Sequence, residues 1–201
     1  MQAGPSARLQ AQAIDYSDDG IRFVVREAGE QHPVATRLIG SYNVSNLLGV
    51  IATMRSIGVP LAAAVQACAQ LTPVPGRMQC VGVPGRPLVA IDYAHTPDAV
   101  SHALLALRSM ATARGGQLWC VLGCGGDRDA SKRPHMAAAA QAAADQLVLT
   151  SDNPRSESPE AILADMMTGL MRTDSVRIQL DRARAVSEVV ALAGAADVVL
   201  V

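Results

Sequence analysis

The stretch Gln146-Leu-Val-Leu-Thr-Ser-Asp-Asn-Pro-Arg155 joins an apolar run to a short polar loop, and Ser158-Pro159-Glu160 begins a helix directly after it. A short apolar run that leads through a loop into a helix is typical of a buried parallel strand in an α/β protein. Loops at the carboxyl ends of such strands are where these folds bind ligands. The stretch therefore predicts both a fold class and a candidate site.

Strands and helices alternate on both sides of this stretch, from residue 78 to the end of the chain. The other predicted strands are Met78–Val83, Leu88–Asp92, Leu118–Leu122, Val176–Leu180 and Asp197–Val201. The predicted helices are Pro97–Thr112 with Thr96 as N-cap, Lys132–Ala144, 159–171 and Ala183–Ala193. This alternation predicts an α/β fold with a doubly wound, mostly parallel sheet.

The first part of the chain has a different pattern. Residues 1–39 are expected to form strands, with Ile21–Arg26 and Pro33–Ile39 as an antiparallel hairpin. Two helices should follow, from Tyr42 to about Gly58 and from Pro60 to about Gln70. The Pro- and Gly-rich connector at 72–77 is the predicted domain boundary, which divides the chain into domains 1–75 and 76–201.

Composition and charge exclude several classes of protein. The 201 residues carry 17 basic and 18 acidic side chains, a net charge of -1, without a basic block. Nucleic acid and anionic membranes are therefore not expected partners. No apolar run approaches the roughly 20 residues of a membrane span, and no secretory signal is evident. Four scattered cysteines then indicate cytosolic thiols, and we expect no metal site.

The polar loop of the opening stretch has two interpretations. Arg155 offers a planar fork of donors that fits a carboxylate, and Asn153 both donates and accepts hydrogen bonds. These side chains, together with Asp152, suit a small acid or zwitterion. Alternatively, Asp152 or Ser151 starts a turn, Pro154 stiffens it, and Arg155 is a solvated surface charge.

A second loop, Gly123-Cys-Gly-Gly-Asp-Arg-Asp129, also lies between a strand and a helix. It matches neither a dinucleotide fingerprint nor a phosphate loop. Cys124 has no evident base partner, so a small residue in a tight loop is the simpler interpretation. Arg128, with Lys132 and Arg133, predicts a preference for an anionic ligand.

Three further places carry polar residues of interest. Asp92 and His95 follow a predicted strand, where an acidic side chain can accept sugar hydroxyls, although His95 alone suits an ordinary loop residue. Asn43 and Asn46 share one helix face and suit a purine edge, although an N-cap at Asn43 is simpler. Arg77 is a lone cation on the connector.

The order and spacing of these motifs are more specific than any one of them. Five segments occur in succession: Tyr-Asn-Val-x-Asn-Leu-Leu at 42–48, Val-Pro-Gly-Arg-Met at 74–78, Asp-Tyr-Ala-His-Thr-Pro-Asp at 92–98, Gly-Cys-Gly-Gly-Asp-Arg-Asp-x-x-Lys-Arg-Pro at 123–134, and Ser-Asp-Asn-Pro-Arg-x-Glu-x-Pro at 151–159. This series strongly resembles the Mur ligase family. The resemblance covers nearly the whole chain and is loosest in residues 1–20.

The resemblance implies an ATP-dependent amide ligase of peptidoglycan synthesis that uses Mg²⁺. Residues 1–75 would then be the tail of the central ATP-binding domain, and 76–201 most of the Rossmann-like C-terminal domain that binds the incoming amino acid. The Asp-Asn-Pro-Arg sequence is associated in this family with meso-2,6-diaminopimelate rather than lysine. The implied substrates are diaminopimelate and UDP-N-acetylmuramoyl-L-alanyl-D-glutamate.

The resemblance also implies roles for individual residues. The positions on the ATP side are Asn43, Asn46, Arg77, Asp92 and His95. The positions that hold diaminopimelate are Arg128, Asp152, Asn153, Pro154 and Arg155. No catalytic residue and no metal ligand is assigned in this chain.

Some family features do not occur in this sequence. The phosphate loop and the lysine expected to be carbamylated are absent, and the chain ends where the family continues into Ala-Gly-Lys-Gly-His-Glu. We therefore expect the 201 residues alone to make no product. A sister ligase, either lysine-adding or a folylpolyglutamate synthetase, and a non-catalytic module that binds an amino acid or nucleotide are the alternatives.

Overall fold

The computed structural model of the chain describes residues 7–17 and 20–201. Two compact units are present, Met1–Met78 and Gln79–Val201.

The first unit is an antiparallel sheet covered by two helices. Its elements are β1 (Leu9–Ser17), β2 (Gly20–Glu27), β3 (Glu30–Thr36), α1 (Tyr42–Ser56) and α2 (Leu61–Ala69). Both strand pairs, β1–β2 and β2–β3, are antiparallel, so the predicted hairpin is confirmed. Ile21, Phe23 and Val25 alternate inward from β2 and pack with Leu47 and Ile51 of α1.

Strand β1 lies in the segment predicted to form strands, but its bounds were not predictable. A β-bulge falls between Gln12 and Asp15, and Ala13 has a φ of 51°. A bulge shifts the alternation of inward and outward side chains, which is the pattern that marks a strand in sequence.

The start of α1 corrects one prediction. The helix begins at Tyr42 after Ser41, and Ser41 makes no side-chain capping bond. Asn43 is therefore not the N-cap. Its side-chain Nδ2 donates instead to the carbonyl of Ile39 at 2.7 Å, which ties the helix to the preceding loop.

The second unit is an α/β sheet of six strands. Its strands are β4 (Gln79–Val81), β5 (Leu88–Ile91), β6 (Leu118–Leu122), β7 (Gln146–Leu149), β8 (Val176–Ile178) and β9 (Val198–Leu200). Its helices are α3 (Pro97–Arg114), α4 (Lys132–Ala143), α5 (Pro159–Met167) and α6 (Arg182–Leu192). The strand order is β4-β5-β9-β6-β7-β8, and only the β4–β5 pair is antiparallel. The predicted mostly parallel sheet is confirmed.

The strand order explains the double winding. The chain moves outward through β6, β7 and β8 and then returns to insert β9 between β5 and β6. Because parallel crossovers are right-handed, the outward helices and the returning helix α6 lie on opposite faces of the sheet. Ala185 and Val189 of α6 pack on Trp119, Val121 and Val199. The loops after β5, β6 and β7 therefore open at one carboxyl edge.

Local signals set the ends of the helices in this unit. The hydroxyl of Thr96 accepts the amide hydrogen of Ala99 at 3.2 Å, which confirms the predicted N-cap of α3. The prediction for α5 was too long, because the helix ends at Met167 rather than near 171. Gly169 comes next, where an added Cβ would lie 2.0 Å from the carbonyl oxygen of Pro134. The chain turns at this close contact with α4.

Candidate functional site

The candidate site is built from two adjacent loops. The β6–α4 loop spans residues 123–131, and the β7–α5 loop spans residues 150–158; they follow neighbouring parallel strands. The amide of Gly126 donates to the carbonyl of Asn153 at 3.1 Å. In return, Nη1 of Arg155 donates to the carbonyl of Gly126 at 2.5 Å. The two loops are thus bonded to each other in both directions.

Glycines in the β6–α4 loop allow this close approach. A Cβ added at Gly126 would lie 1.8 Å from the carbonyl oxygen of Pro154, and one added at Gly123 would lie 2.6 Å from Cβ of Asp152. Neither glycine has a positive φ. These glycines are therefore needed for contact between the loops and not for a left-handed backbone.

The left-handed backbone falls on residues that carry side chains. Asp127, Asn153 and Arg155 have φ values of 52°, 46° and 52°. Such residues cost on the order of 1 kcal/mol or more and persist where the surroundings fix them. Here the amide of Asp127 donates to Oε1 of Glu157 at 2.6 Å, and its Oδ1 accepts from the hydroxyl of Ser156 at 2.6 Å.

The paired loops leave a set of polar groups facing solvent. Arg128, Asp152 and Asn153 are exposed, and none of these side chains makes a hydrogen bond or ion pair within residues 7–17 and 20–201. One guanidinium donor of Arg155 bonds the carbonyl of Gly126, and its other donors bond no group within the same described residues. A Cβ at Gly125 would lie 3.0 Å from Nη1 of Arg155 and 3.8 Å from Cγ of Arg128. The guanidinium end of Arg155 and the aliphatic stem of Arg128, from different loops, therefore both lie near Gly125.

This arrangement suits a zwitterion that carries more than one charged group. The two guanidinium groups and the Asn153 amide offer donors to a carboxylate, while Asp152 offers an acceptor to an ammonium group. The structure brings together Arg128, Asp152, Asn153 and Arg155, with Pro154 half-buried between them. The loop is a tight turn that also exposes hydrogen-bond donors, and the binding of an acid or zwitterion by these donors stays a prediction.

One cation of the β6–α4 region, Arg133, does not face the site, which corrects the expectation that it joins Arg128 and Lys132 in an anion-binding cluster. Arg133 is 3% exposed, and its Nη2 and Nη1 donate to Glu157 at 2.7 Å and Asp165 at 2.8 Å. These hydrogen bonds, with Glu157 the larger contributor, raise the pKa of Arg133. Lys132 lies 3.6 Å from Asp129.

The roles of Glu157 and Asp165 were missed in the sequence. Glu157 belongs to the Ser-Asp-Asn-Pro-Arg-x-Glu motif, but its partners lie 24 and 30 residues away. Its position within that motif is the one local signal in the sequence that points to it.

Cys124 is a packing residue rather than a nucleophile. Its Sγ lies 3.8 Å from Sδ of Met136, and burial raises the pKa of the thiol to about 11. Cys120 is also buried, and its pKa is raised to about 12. Thiolates are the reactive form of cysteine, so neither thiol is activated.

The residues predicted on the ATP side fall in both units. Asp92 and His95 follow β5 at the carboxyl edge of the sheet, where Nδ1 of His95 lies 2.8 Å from the carbonyl of Tyr93. This contact orients the ring and leaves Nε2 available. In the first unit, Asn46 donates to Oδ1 of Asn43 at 3.1 Å, so the two amides are paired; Arg77 belongs to the same unit and is exposed.

Within the described residues, no group of three or more His, Cys, Asp or Glu side chains is arranged to hold a metal ion. Among the helices of this same part of the chain, none has the length and apolar character that crossing a membrane requires.

Comparisons with known proteins identify the family to which this chain is similar. The domain family described as Mur ligase, glutamate ligase domain, matches residues 76–201. A protein of Acidovorax sp. (strain JS42), named UDP-N-acetylmuramoyl-L-alanyl-D-glutamate–2,6-diaminopimelate ligase, is 56% identical over 98% of this chain and 39% of its own length. A solved structure with the same name has a TM-score of 0.69 at 38% identity, over 99% of this chain and 40% of that one.

More distant structures share the fold. A folylpolyglutamate synthase from Thermotoga maritima has a TM-score of 0.73 at 16% identity and covers 96% of this chain and 43% of its own. The chain spans about two fifths of the length of the curated relatives that it matches.

Proposed function

The chain belongs to the Mur ligase family, and from this premise we propose that it is part of an ATP-dependent ligase that joins meso-2,6-diaminopimelate to UDP-N-acetylmuramoyl-L-alanyl-D-glutamate in peptidoglycan synthesis. The name of the Acidovorax relative, at 56% identity, supports this substrate pair. Within the reaction, we assign to this chain the binding of the incoming amino acid.

The proposed reaction has two chemical stages. A carboxylate oxygen of the dipeptide substrate would take the γ-phosphoryl group of ATP to form an acyl phosphate, and ADP would leave; Mg²⁺ would supply positive charge to the transferring group. The amine of diaminopimelate then attacks this carbonyl carbon, and phosphate leaves as the amide forms. The residues of this chain would contribute orientation, because an amine held in line with the acyl carbon reacts far faster than a free one.

The approach of Arg128 and Arg155 to Gly125 from two different loops is the observation that carries the proposal. Diaminopimelate differs from lysine by a second carboxylate at the far end of the side chain. We propose that Arg128 and Arg155, which both lie near Gly125, bind that carboxylate together with Asn153. Lysine has the same distal ammonium group but lacks the carboxylate, so it would leave these donors without a partner, which is a strong form of discrimination.

The remaining assignments follow from the motif positions alone. We propose that Asn43, Asn46, Arg77, Asp92 and His95 act on the ATP side. The exposed Asn46 and the outward Nε2 of His95 fit polar contacts to a nucleotide. A cytoplasmic location, where UDP-linked precursors and ATP are available, is part of the same proposal.

A chimeric ligase tests the proposal. The 201-residue chain replaces the matching segment of the Acidovorax relative, and ADP release is measured with the UDP-linked dipeptide and either meso-diaminopimelate or lysine. The unmodified relative is the positive control, and the 201-residue chain assayed alone, which we expect to be inactive, is the negative control. The expected result is ADP release with diaminopimelate and a rate at least about 100-fold lower with lysine.

Three results would count against the proposal in different ways. Equal rates with lysine would indicate a lysine-adding ligase. Activity only with a folate substrate and glutamate would indicate the folylpolyglutamate branch. An inactive chimera beside an active unmodified relative would indicate that this chain does not serve as the amino-acid-binding part of a ligase.

A further inference from the structure

The carboxylate of Glu157 lies where the two loops of the site meet. Its Oε1 accepts the amide hydrogen of Asp127 at 2.6 Å and a guanidinium hydrogen of Arg133 at 2.7 Å. Asp127 directly precedes Arg128, and Glu157 follows Arg155 by two residues. One oxygen atom therefore bridges the backbone of the β6–α4 loop to the end of the β7–α5 loop.

Arg133 fixes the position of this carboxylate. Its guanidinium group is 3% exposed and also donates to Asp165 of α5 at 2.8 Å and to the carbonyl of Gly125 at 3.4 Å. A buried guanidinium group must keep its partners, because an unpaired buried charge is costly. Arg133 thus holds Glu157 from the α4 side and contacts the same loop that carries Arg128.

The bridge stabilises a backbone that is otherwise unfavourable. Asp127 has a φ of 52°, and its conformation sets the direction in which Arg128 leaves the loop. The amide of Glu157 in turn donates to the carbonyl of Pro154 at 3.0 Å, within the turn that presents Asn153 and Arg155. Glu157 therefore acts on both halves of the candidate site, although its own carboxylate is occupied by the protein.

We propose that Glu157, held by Arg133, is a positioning residue that fixes Arg128 relative to Asn153 and Arg155 and thereby sets the preference for an amino acid with a distal carboxylate. This inference rests on the proposed function. Charge-assisted hydrogen bonds to a carboxylate depend strongly on geometry, and two arginines from separate loops grip one group only if the spacing of the loops is constant.

The first test is independent of any ligand. Hydrogen exchange is measured at the amides of Gly126 and Asp127 in the 201-residue chain and in its Glu157→Gln and Glu157→Ala variants. The amide of Asp127 should lose protection in Glu157→Ala and keep part of it in Glu157→Gln, because the amide oxygen of glutamine still accepts a hydrogen bond. Glu160→Gln is the matched control, since Glu160 is exposed and its Oε2 accepts from the hydroxyl of Ser158 within its own turn.

The second test measures specificity in the chimeric ligase. With Glu157→Ala we expect the KM for diaminopimelate to rise about tenfold, as for the loss of one charge-assisted contact, while kcat falls less and the preference over lysine shrinks. Glu157→Gln should recover part of the loss, and Glu160→Gln should match the unmodified chimera. Thermal melts identify a variant that is simply unfolded.

The outcomes are separable. If Glu157→Ala exposes the Asp127 amide but leaves the KM and the preference over lysine unchanged, the bridge is structural and the positioning role is wrong. If the Asp127 amide stays protected in that variant, the bridge itself is wrong. If the chimera without substitutions shows no turnover with diaminopimelate, the proposed function fails, and the positioning role fails with it.

Discussion

At the scale of single residues, Arg155 has both a structural and a proposed binding role. One of its guanidinium hydrogens bonds the carbonyl of Gly126 in the neighbouring loop. The other guanidinium donors bond no group among the residues that the structure describes, and the bond to Gly126 limits the rotamers of the side chain. Holding a side chain in place before the ligand arrives lowers the entropic cost of binding.

Replacing Arg155 with alanine should therefore lower the activity of the ligase with diaminopimelate and leave its activity with lysine almost unchanged. In the chimeric ligase, we expect kcat/KM for diaminopimelate to fall about 10- to 100-fold, because a charge-assisted, bidentate contact is lost. Arg172→Ala is the control, since Arg172 is also exposed but lies between α5 and β8. An equal loss in both variants, or an equal loss for lysine, would contradict the role of Arg155.

Gly126 should tolerate no side chain. In Gly126→Ala the new Cβ would lie 1.8 Å from the carbonyl oxygen of Pro154, so the two loops must separate. We expect the free energy of unfolding, followed by Trp119 fluorescence in urea, to fall by about 1–3 kcal/mol. Gly194→Ala is the control, because its Cβ would meet neighbours only at 3.7 Å or more. Equal stability of the two variants would show that the loops are not packed as described.

At the scale of residues, the sequence predicted candidate positions but not the partners of the side chains. Asn153, Arg155 and Arg128 were predicted as site residues because their spacing matches a family pattern, and these roles stay predictions. In the sequence, Arg133 looks like Arg128, because both are cations near the start of a helix. In the structure, however, Arg133 is buried against Glu157 and Asp165. Contacts across more than 20 residues depend on how the helices pack, and local sequence does not encode that packing.

At the scale of elements, the loop lengths and the caps explain most of what the sequence could predict. Proline, glycine and N-cap residues act within one or two turns, so the start of α3 at Thr96–Pro97 was predictable. The end of α5 was not, because Gly169 is set by its contact with Pro134 on α4. The bulge in β1 was not predictable either, because a single inserted residue breaks the alternation of inward and outward side chains that marks a strand.

One ion-pair network joins three elements of the first unit. Glu27, at the end of β2, is 4% exposed and accepts from Nε of Arg55 in α1 at 2.5 Å and from Nε of Arg8, next to β1, at 2.7 Å. The hydrogen bond from Arg55 is the main cause that holds the pKa of Glu27 below its ordinary value of 4.5. The stabilisation from this carboxylate is thus complete above about pH 4.5 and is lost as the pH falls through the lower folded-state pKa.

Glu27→Gln should accordingly be destabilising at neutral pH and nearly neutral in acid. We expect the free energy of unfolding, measured by hydrogen exchange at the amides of Val25 and Ile51, to fall by about 1–3 kcal/mol at pH 7. The reason is that two arginines lose a charged partner. The difference from the unmodified chain should shrink below pH 4.5. Glu30→Gln is the control, with a side chain 67% exposed. A difference that grows on acidification would contradict the assigned direction of the pKa shift.

At the scale of the whole molecule, the class of the fold was predictable and the order of its strands was not. Alternating apolar strands and helices specify a mostly parallel sheet, but β9 could lie at an edge or in the middle by pattern alone. Its three residues, Val198–Leu200, are all buried, which agrees with the central place between β5 and β6. With β9 between them, β5 and β6 run parallel, as does β7. Asp92 and the two loops therefore follow these strands at the same carboxyl edge of the sheet.

The central claim is that the β6–α4 and β7–α5 loops together form the site for the amino acid. The most direct test is an NMR titration of the ¹⁵N-labelled 201-residue chain with meso-diaminopimelate and, separately, with lysine. We predict that diaminopimelate shifts the amide resonances of residues 125–128 and 152–157 together, with one shared dissociation constant, and that lysine shifts them far less. Shifts confined to other residues, no shifts with diaminopimelate, or equal shifts with lysine would contradict the claim.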